Sequence, residues 1–212
     1  MTKNTLLLGG FFNINKIKTI LKFIKDNDEK GFIIVDERGD QTFSEHFEKN
    51  IENLIVVNLH FSKFFDYENL TKDIDKIDFD NIILNNKKII LSLPPLKVSE
   101  TIINKLKLYI SMKLLNTLKK CKNVNNFIVF FEKSNFFNQD ENFLNSLISV
   151  YTEMLELNNN LNLYFSFDGF NNLDLFKKFL DKIDKVYCLQ YYKDININIK
   201  EYLQLRKDVI YI

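Results

Sequence analysis

Cysteine is scarce in this chain of 212 residues: only Cys121 and Cys188 carry a thiol, and they stand far apart with no histidine clustered beside them. That spacing argues against a disulfide framework or a zinc site and fits a reduced compartment. Neither sign of charge is in excess, with 29 Lys and Arg against 28 Asp and Glu. No global basic field therefore gathers DNA or an anionic membrane, so DNA binding is not indicated by charge. Long apolar runs are also missing, none approaching the ~18 residues of a membrane span. The opening MTKNTLLLGGFF lacks the basic start and small-residue cleavage site of a signal peptide. These absences predict a cytoplasmic protein with no membrane insertion. Alanine is absent and arginine occurs only at Arg38 and Arg206, while Asn, Lys, Ile and Phe abound. That bias reads as AT-rich codon usage more than as a functional choice.

What the chain does have is enough apolar material, 46% of its residues, for one substantial core. Its length fits one domain, 1–212, with no linker or internal repeat. Short apolar runs alternate with amphipathic segments throughout, the pattern of an α/β domain built on a mainly parallel sheet. The expected strands are Thr5–Leu8, Phe32–Val35, Ile55–Val57, Ile89–Leu93, Phe127–Phe131, Leu161–Phe167 and, last, Val186–Tyr191. Ile17, Ile20, Leu21 and Ile24 recur at helical spacing after the first strand. A long helix is expected from a cap at Ser99 to about Lys120, and others over Leu144–Leu155 and Leu173–Ile183. The best test of the arrangement is Phe127–Phe131, which is apolar enough to require cover on both faces and so belongs inside the sheet.

Three segments carry chemistry. Between the first strand and the first helix runs Gly9-Gly10-Phe11-Phe12-Asn13-Ile14-Asn15-Lys16-Ile17. A phosphate-binding loop reads G-x-x-x-x-G-K-[ST], in which glycines free backbone N–H groups, the Lys reaches the terminal phosphates and the hydroxyl holds Mg²⁺. Counted from Gly10, its second glycine falls on Asn15, its lysine on Lys16 and its hydroxyl on Ile17. The second segment is Val35-Asp36-Glu37-Arg38-Gly39-Asp40, and the third Phe127-Ile128-Val129-Phe130-Phe131-Glu132, with Leu163–Phe167 and Asp168 following.

Taken in order, these segments resemble the FtsK/HerA superfamily of P-loop motors, which includes conjugative coupling proteins, DNA-pumping translocases and viral packaging ATPases. The resemblance implies a RecA-like P-loop NTPase fold over nearly the whole chain. It implies vestigial nucleotide-binding positions at Gly9, Gly10, Lys16, Asp36 and Asp168, and a vestigial catalytic position at Glu132. It also shows where the chain departs from the family. Ile17 replaces the magnesium-binding hydroxyl, Phe131 the Asp of an Asp-Glu pair, Asp168 a γ-phosphate-sensing Gln, and Leu157 an Arg acting on a neighbouring subunit. Loss of all four groups implies that hydrolysis is gone.

The expected function is therefore that of a pseudo-ATPase: a structural or regulatory protein partner in conjugation, secretion or packaging, for example beside an active ATPase paralogue. No cofactor and no metal site are expected. The alternative is a divergent active ATPase using ATP and Mg²⁺, with Lys16, Glu132 and Asp36 or Asp168 at an unconventional metal site. A third reading, from Tyr164–Gly169, resembles barrel strands of family-18-like glycoside hydrolases. It lacks a D-x-D-x-E motif and the ~250 residues typical of such barrels. Phe136 and Phe137, just beyond Glu132, are the candidate interaction residues. His46 and His60 lack a nucleophile partner at any recognised spacing. Lys119, Lys120 and Lys122 complement a helix C-terminus.

Overall fold

The computed structural model describes residues 4–8, 14–26, 30–37, 42–59, 65–94, 98–121, 125–135, 140–157, 160–169, 173–189 and 197–211. Among them strands and helices alternate: β1 (Asn4–Leu8), α1 (Ile14–Lys25), β2 (Phe32–Asp36), α2 (Thr42–Glu48), β3 (Leu54–Asn58), α3 (Tyr67–Asp75), α4 (Phe79–Leu84) and β4 (Lys88–Ser92). The second half adds α5 (Glu100–Lys120), β5 (Asn125–Asn135), α6 (Glu141–Glu156), β6 (Asn160–Gly169), α7 (Leu173–Leu180), β7 (Lys185–Cys188), α8 (Ile197–Gln204) and β8 (Val209–Tyr211). All eight strands form one parallel sheet in the order β3-β4-β2-β5-β6-β1-β7-β8.

That order explains which helix covers which face. From β1 to β2 to β3 the chain steps toward one edge; from β3 onward every step runs toward the other. Crossovers between parallel strands are right-handed, so the first two helices must lie on one face and the rest on the opposite face. The two hydrophobic clusters follow this division. Ile17, Ile20, Leu21 and Ile24 of α1 and Phe43 and Phe47 of α2 pack on Leu7, Phe32, Ile34, Ile90, Ile128, Phe130 and Tyr164. The alternate residues Leu6, Leu8, Ile33, Val35, Phe127, Val129, Phe131 and Phe165 meet residues of α3 to α8 on the other face.

Helix starts are set locally. Asp66, Asp78, Ser99 and Asp140 each accept a hydrogen bond from the backbone N–H three residues on, satisfying a first-turn donor.

The five strands expected in the core form the uninterrupted block β4-β2-β5-β6-β1, with Phe127–Phe131 in its middle. Three expectations are corrected. β5 does not stop at Phe131 but continues to Asn135, because Ser134 and Asn135 pair with Phe167 and Gly169 of β6 after a register shift. Val186–Tyr191 is not the last strand: β7 ends at Cys188, and α8 and β8 follow, β8 being only three residues long. The glycoside-hydrolase barrel is excluded, because the sheet is open with β3 and β8 at its two edges.

Candidate site at the carboxyl edge of the sheet

In an open parallel sheet ligands bind at the carboxyl ends of the strands, where neighbouring connections leave for opposite faces. Here β1 sends its chain to α1 on one face, while its neighbour β6 sends its chain to α7 on the other. β2 and its neighbours β4 and β5 diverge in the same way. Asp36, Ser92, Glu132 and Ser166, buried polar residues of four strands, collect at this edge.

The pleat decides which way they point. Ile34, Ile90 and Phe130 share one register row on the α1 face, so the row two residues later, Asp36, Ser92 and Glu132, points to the same face. Ser166, two residues after Tyr164, joins them from β6, beside Leu7 of β1. All four are 0% exposed. The Ser92 hydroxyl donates to Asp36 Oδ2 at 3.3 Å.

Lys16 comes down onto this row from the first turn of α1. Its Nζ lies 3.4 Å from Glu132 Oε1, and both side chains are 0% exposed. The sequence singled out both residues, and the structure makes them partners. The placement is electrostatically telling. The first turn of α1 contains no acid, although a helix N-terminus favours negative charge. Glu132 brings that charge from another strand.

A second buried pair lies on the opposite face. Glu37, one residue after Asp36, points the other way and meets Lys107 of α5, with Nζ–Oε2 at 2.7 Å and exposures of 6% and 2%. Sequence reasoning missed this pair, although a signal was present: Lys107 sits four residues after Ile103 and three before Ile110, inside the apolar stripe of α5. The backbone ties the two faces together. Glu37 N–H donates to the Glu132 carbonyl (3.3 Å), and Leu93 N–H donates to the Asp36 carbonyl (2.9 Å). The two pairs differ in tightness. Lys107–Glu37 is the closer ion pair and Lys16–Glu132, at 3.4 Å, the more open one.

Two of the positions at which the chain departs from the family resemblance, Ile17 and Phe131, are occupied by packing residues. Ile17 is 4% exposed and belongs to the α1-face core. Phe131 faces away from Lys16, stacks on Phe165 with ring centroids 5.5 Å apart and lies 4.6 Å from Tyr151. A carboxylate at 131 would enter that aromatic cluster, so the acid facing α1 is the one at 132. Leu157 caps the end of α6. Asp168 is in the last turnout of β6, next to Gly169, and its side chain lies outside what is described. Gly9, Gly10, Phe136 and Phe137 lie outside the described residues. No group of three or more His, Cys, Asp or Glu side chains suited to a metal occurs among the described residues, and none of the described helices is long and apolar enough to cross a membrane. His46 lies on α2; His60 is outside the described residues.

No protein-family model matches the chain, and no curated protein or solved structure shows significant similarity to it.

Proposed function

We propose that this chain is a pseudo-ATPase: a P-loop-like domain, related to DNA-translocating motors, that works as a structural or regulatory protein partner in DNA transfer, secretion or packaging. The observation that carries the reading is the buried Lys16–Glu132 pair. The lysine that would meet terminal phosphates is held by an acid of the same chain, at the start of a helix that has no first-turn acid of its own. Burial of Ile17 and Phe131 supports it further, since each puts an apolar side chain where the resemblance calls for magnesium chemistry. Loops from β1, β2, β5 and β6 leave one edge of adjacent strands. Phe136 and Phe137, which directly follow β5, are the proposed contact for the protein partner.

One observation favours the second reading, a divergent active ATPase. Asp36 shares a register row with Glu132 on the α1 face, so two carboxylates lie on the face that Lys16 meets, oxygen ligands of the kind a hydrated Mg²⁺ takes. Thermal melts with ATP, with and without Mg²⁺, run beside a phosphate-release assay, separate the two. The pseudo-ATPase gives no turnover, whether or not ATP raises Tm. Mg²⁺-dependent phosphate release that disappears in Lys16→Ala would establish the second reading and overturn the first.

A further inference from the structure

One peptide plane joins the two faces of the sheet. The carbonyl of Asp36 accepts from Leu93 N–H at 2.9 Å on the β4 side, and the N–H of Glu37 donates to the Glu132 carbonyl at 3.3 Å on the β5 side. That C=O and that N–H belong to the same peptide bond, which is planar and resists twisting. The side chains at its two ends leave for opposite faces. Asp36 joins the row of Ser92 and Glu132 toward α1, and Glu37 reaches Lys107 of α5. The Glu37 rung lies one residue past the last β2–β5 pair, Asp36 with Glu132, where a ladder opens most readily. The ion pair to Lys107, 2.7 Å long and buried at both ends, holds this residue against α5.

We propose that Lys107 is a positioning residue for the Lys16–Glu132 pair on the opposite face of the sheet. Lys107 holds Glu37, Glu37 fixes the peptide plane it shares with Asp36, and that plane fixes the Glu132 backbone from which the carboxylate reaches Lys16. The steps are an ion pair of 2.7 Å, a hydrogen bond of 3.3 Å and an ion pair of 3.4 Å. Coupling between two sites is reciprocal. A ligand or partner that draws Lys16 from Glu132 is therefore felt at α5, and whatever displaces α5 alters the hold on Lys16. The proposal rests on the reading of Lys16–Glu132 as the functional pair of this edge, and is indifferent to whether ATP is turned over there. Its test contains no nucleotide, so it and the phosphate-release assay fail separately.

The test is a double-mutant cycle on the full chain, Lys16→Met against Lys107→Met, read by urea unfolding. Independent sites combine within about a factor of two in the unfolding equilibrium constant. The expected result is that the second substitution costs at least about fivefold less in that constant when the first is already present. The sign is diagnostic, because the two lysines carry like charges: direct repulsion between them would make the double variant less stable than the sum of the singles. The opposite deviation isolates the route through Glu37. Ile110→Val, a loss of packing at a 0% exposed residue of the same helix, should add to Lys16→Met without coupling. Amide hydrogen exchange reads the link itself. In Lys107→Met the Glu37 N–H should exchange at least about tenfold faster, after correction for the change in the β6 amides of Leu163 to Phe165. If Lys107→Met does not fold, Glu37→Leu/Lys107→Met, which leaves neither ion without its partner, replaces it in both measurements with the same expectations. An additive cycle, a double variant worse than additive, an equal coupling in Ile110→Val, or unchanged protection at residue 37 overturns the proposal.

Discussion

Removing Lys16 takes away the cation 3.4 Å from a Glu132 carboxylate that is 0% exposed, and that is the sharpest test of the site. Breaking a buried pair by deleting one partner costs about 3–5 kcal/mol, whereas replacing both by apolar groups of similar volume is about neutral or stabilising by ~1–4 kcal/mol. Lys16→Met should therefore lower Tm by on the order of 6–20 °C, at ~2–4 °C per kcal/mol for a chain of this size. Glu132→Leu should cost less, because Asp36, in the same register row, remains as a second acid on that face. The double variant Lys16→Met/Glu132→Leu should lie far closer to wild type than the sum of the singles. Urea unfolding of all four proteins at neutral pH measures the cycle, with the m-value held constant as the check that only stability has changed. If Lys16→Met costs under about 1 kcal/mol, or costs the same with Glu132 present or absent, the pair does not hold this edge together and the argument from its burial fails.

Two further outcomes follow from packing. Gly31→Ala would place a Cβ 2.4 Å from the Asn86 carbonyl carbon and 2.5 Å from its Cα. Asn86 already holds a positive φ of 49°, so its turn has little room to yield, and a loss of about 1–3 kcal/mol is expected in chemical denaturation; an unchanged midpoint would show that the turn relaxes freely. Burial pushes the Cys188 thiol up to about 12. The native protein should therefore resist iodoacetamide at pH 8 and react at this residue only after unfolding, as mass spectrometry of the alkylated protein will read; rapid native labelling of Cys188 would contradict its placement.

How much of this was legible from the residues depended on the kind of pattern. Runs such as Phe127–Phe131 and Ile33–Val35 are apolar at every position, and only a strand covered on both faces tolerates that, so the core block could be read directly. The cap at Ser99 was legible for a local reason, since its partner is three residues away. β8 was not, because three residues carry too little period to distinguish a strand from a loop. Within the site, Lys16 and Glu132 were separately visible through motif spacing, but their contact joins residues 116 positions apart. It depends on the pleat turning residue 132, not 131, toward α1. Lys107 and Glu37 were hidden by charge: a lysine in a lysine-rich chain reads as solvated until its place in the α5 stripe is weighed.

The two buried pairs also say where stability gives way to another demand. Taking a lysine and a glutamate out of water costs several kcal/mol per ion, which mutual attraction repays only with good geometry. Lys107–Glu37, at 2.7 Å, is the closer pair and ties the end of β2 to α5. Lys16–Glu132, at 3.4 Å, is the more open one. A leucine and a methionine at these two positions would join the α1-face cluster of Ile17, Phe130 and Tyr164 at lower desolvation cost. The looser pair stands at the carboxyl edge of the sheet, where neighbouring crossovers open toward opposite faces. Local rules are broken at sites that serve something besides folding. On this argument the edge that ends in Asp36 and Glu132, rather than the Gly9-Gly10 loop alone, is where loss of function should first be sought.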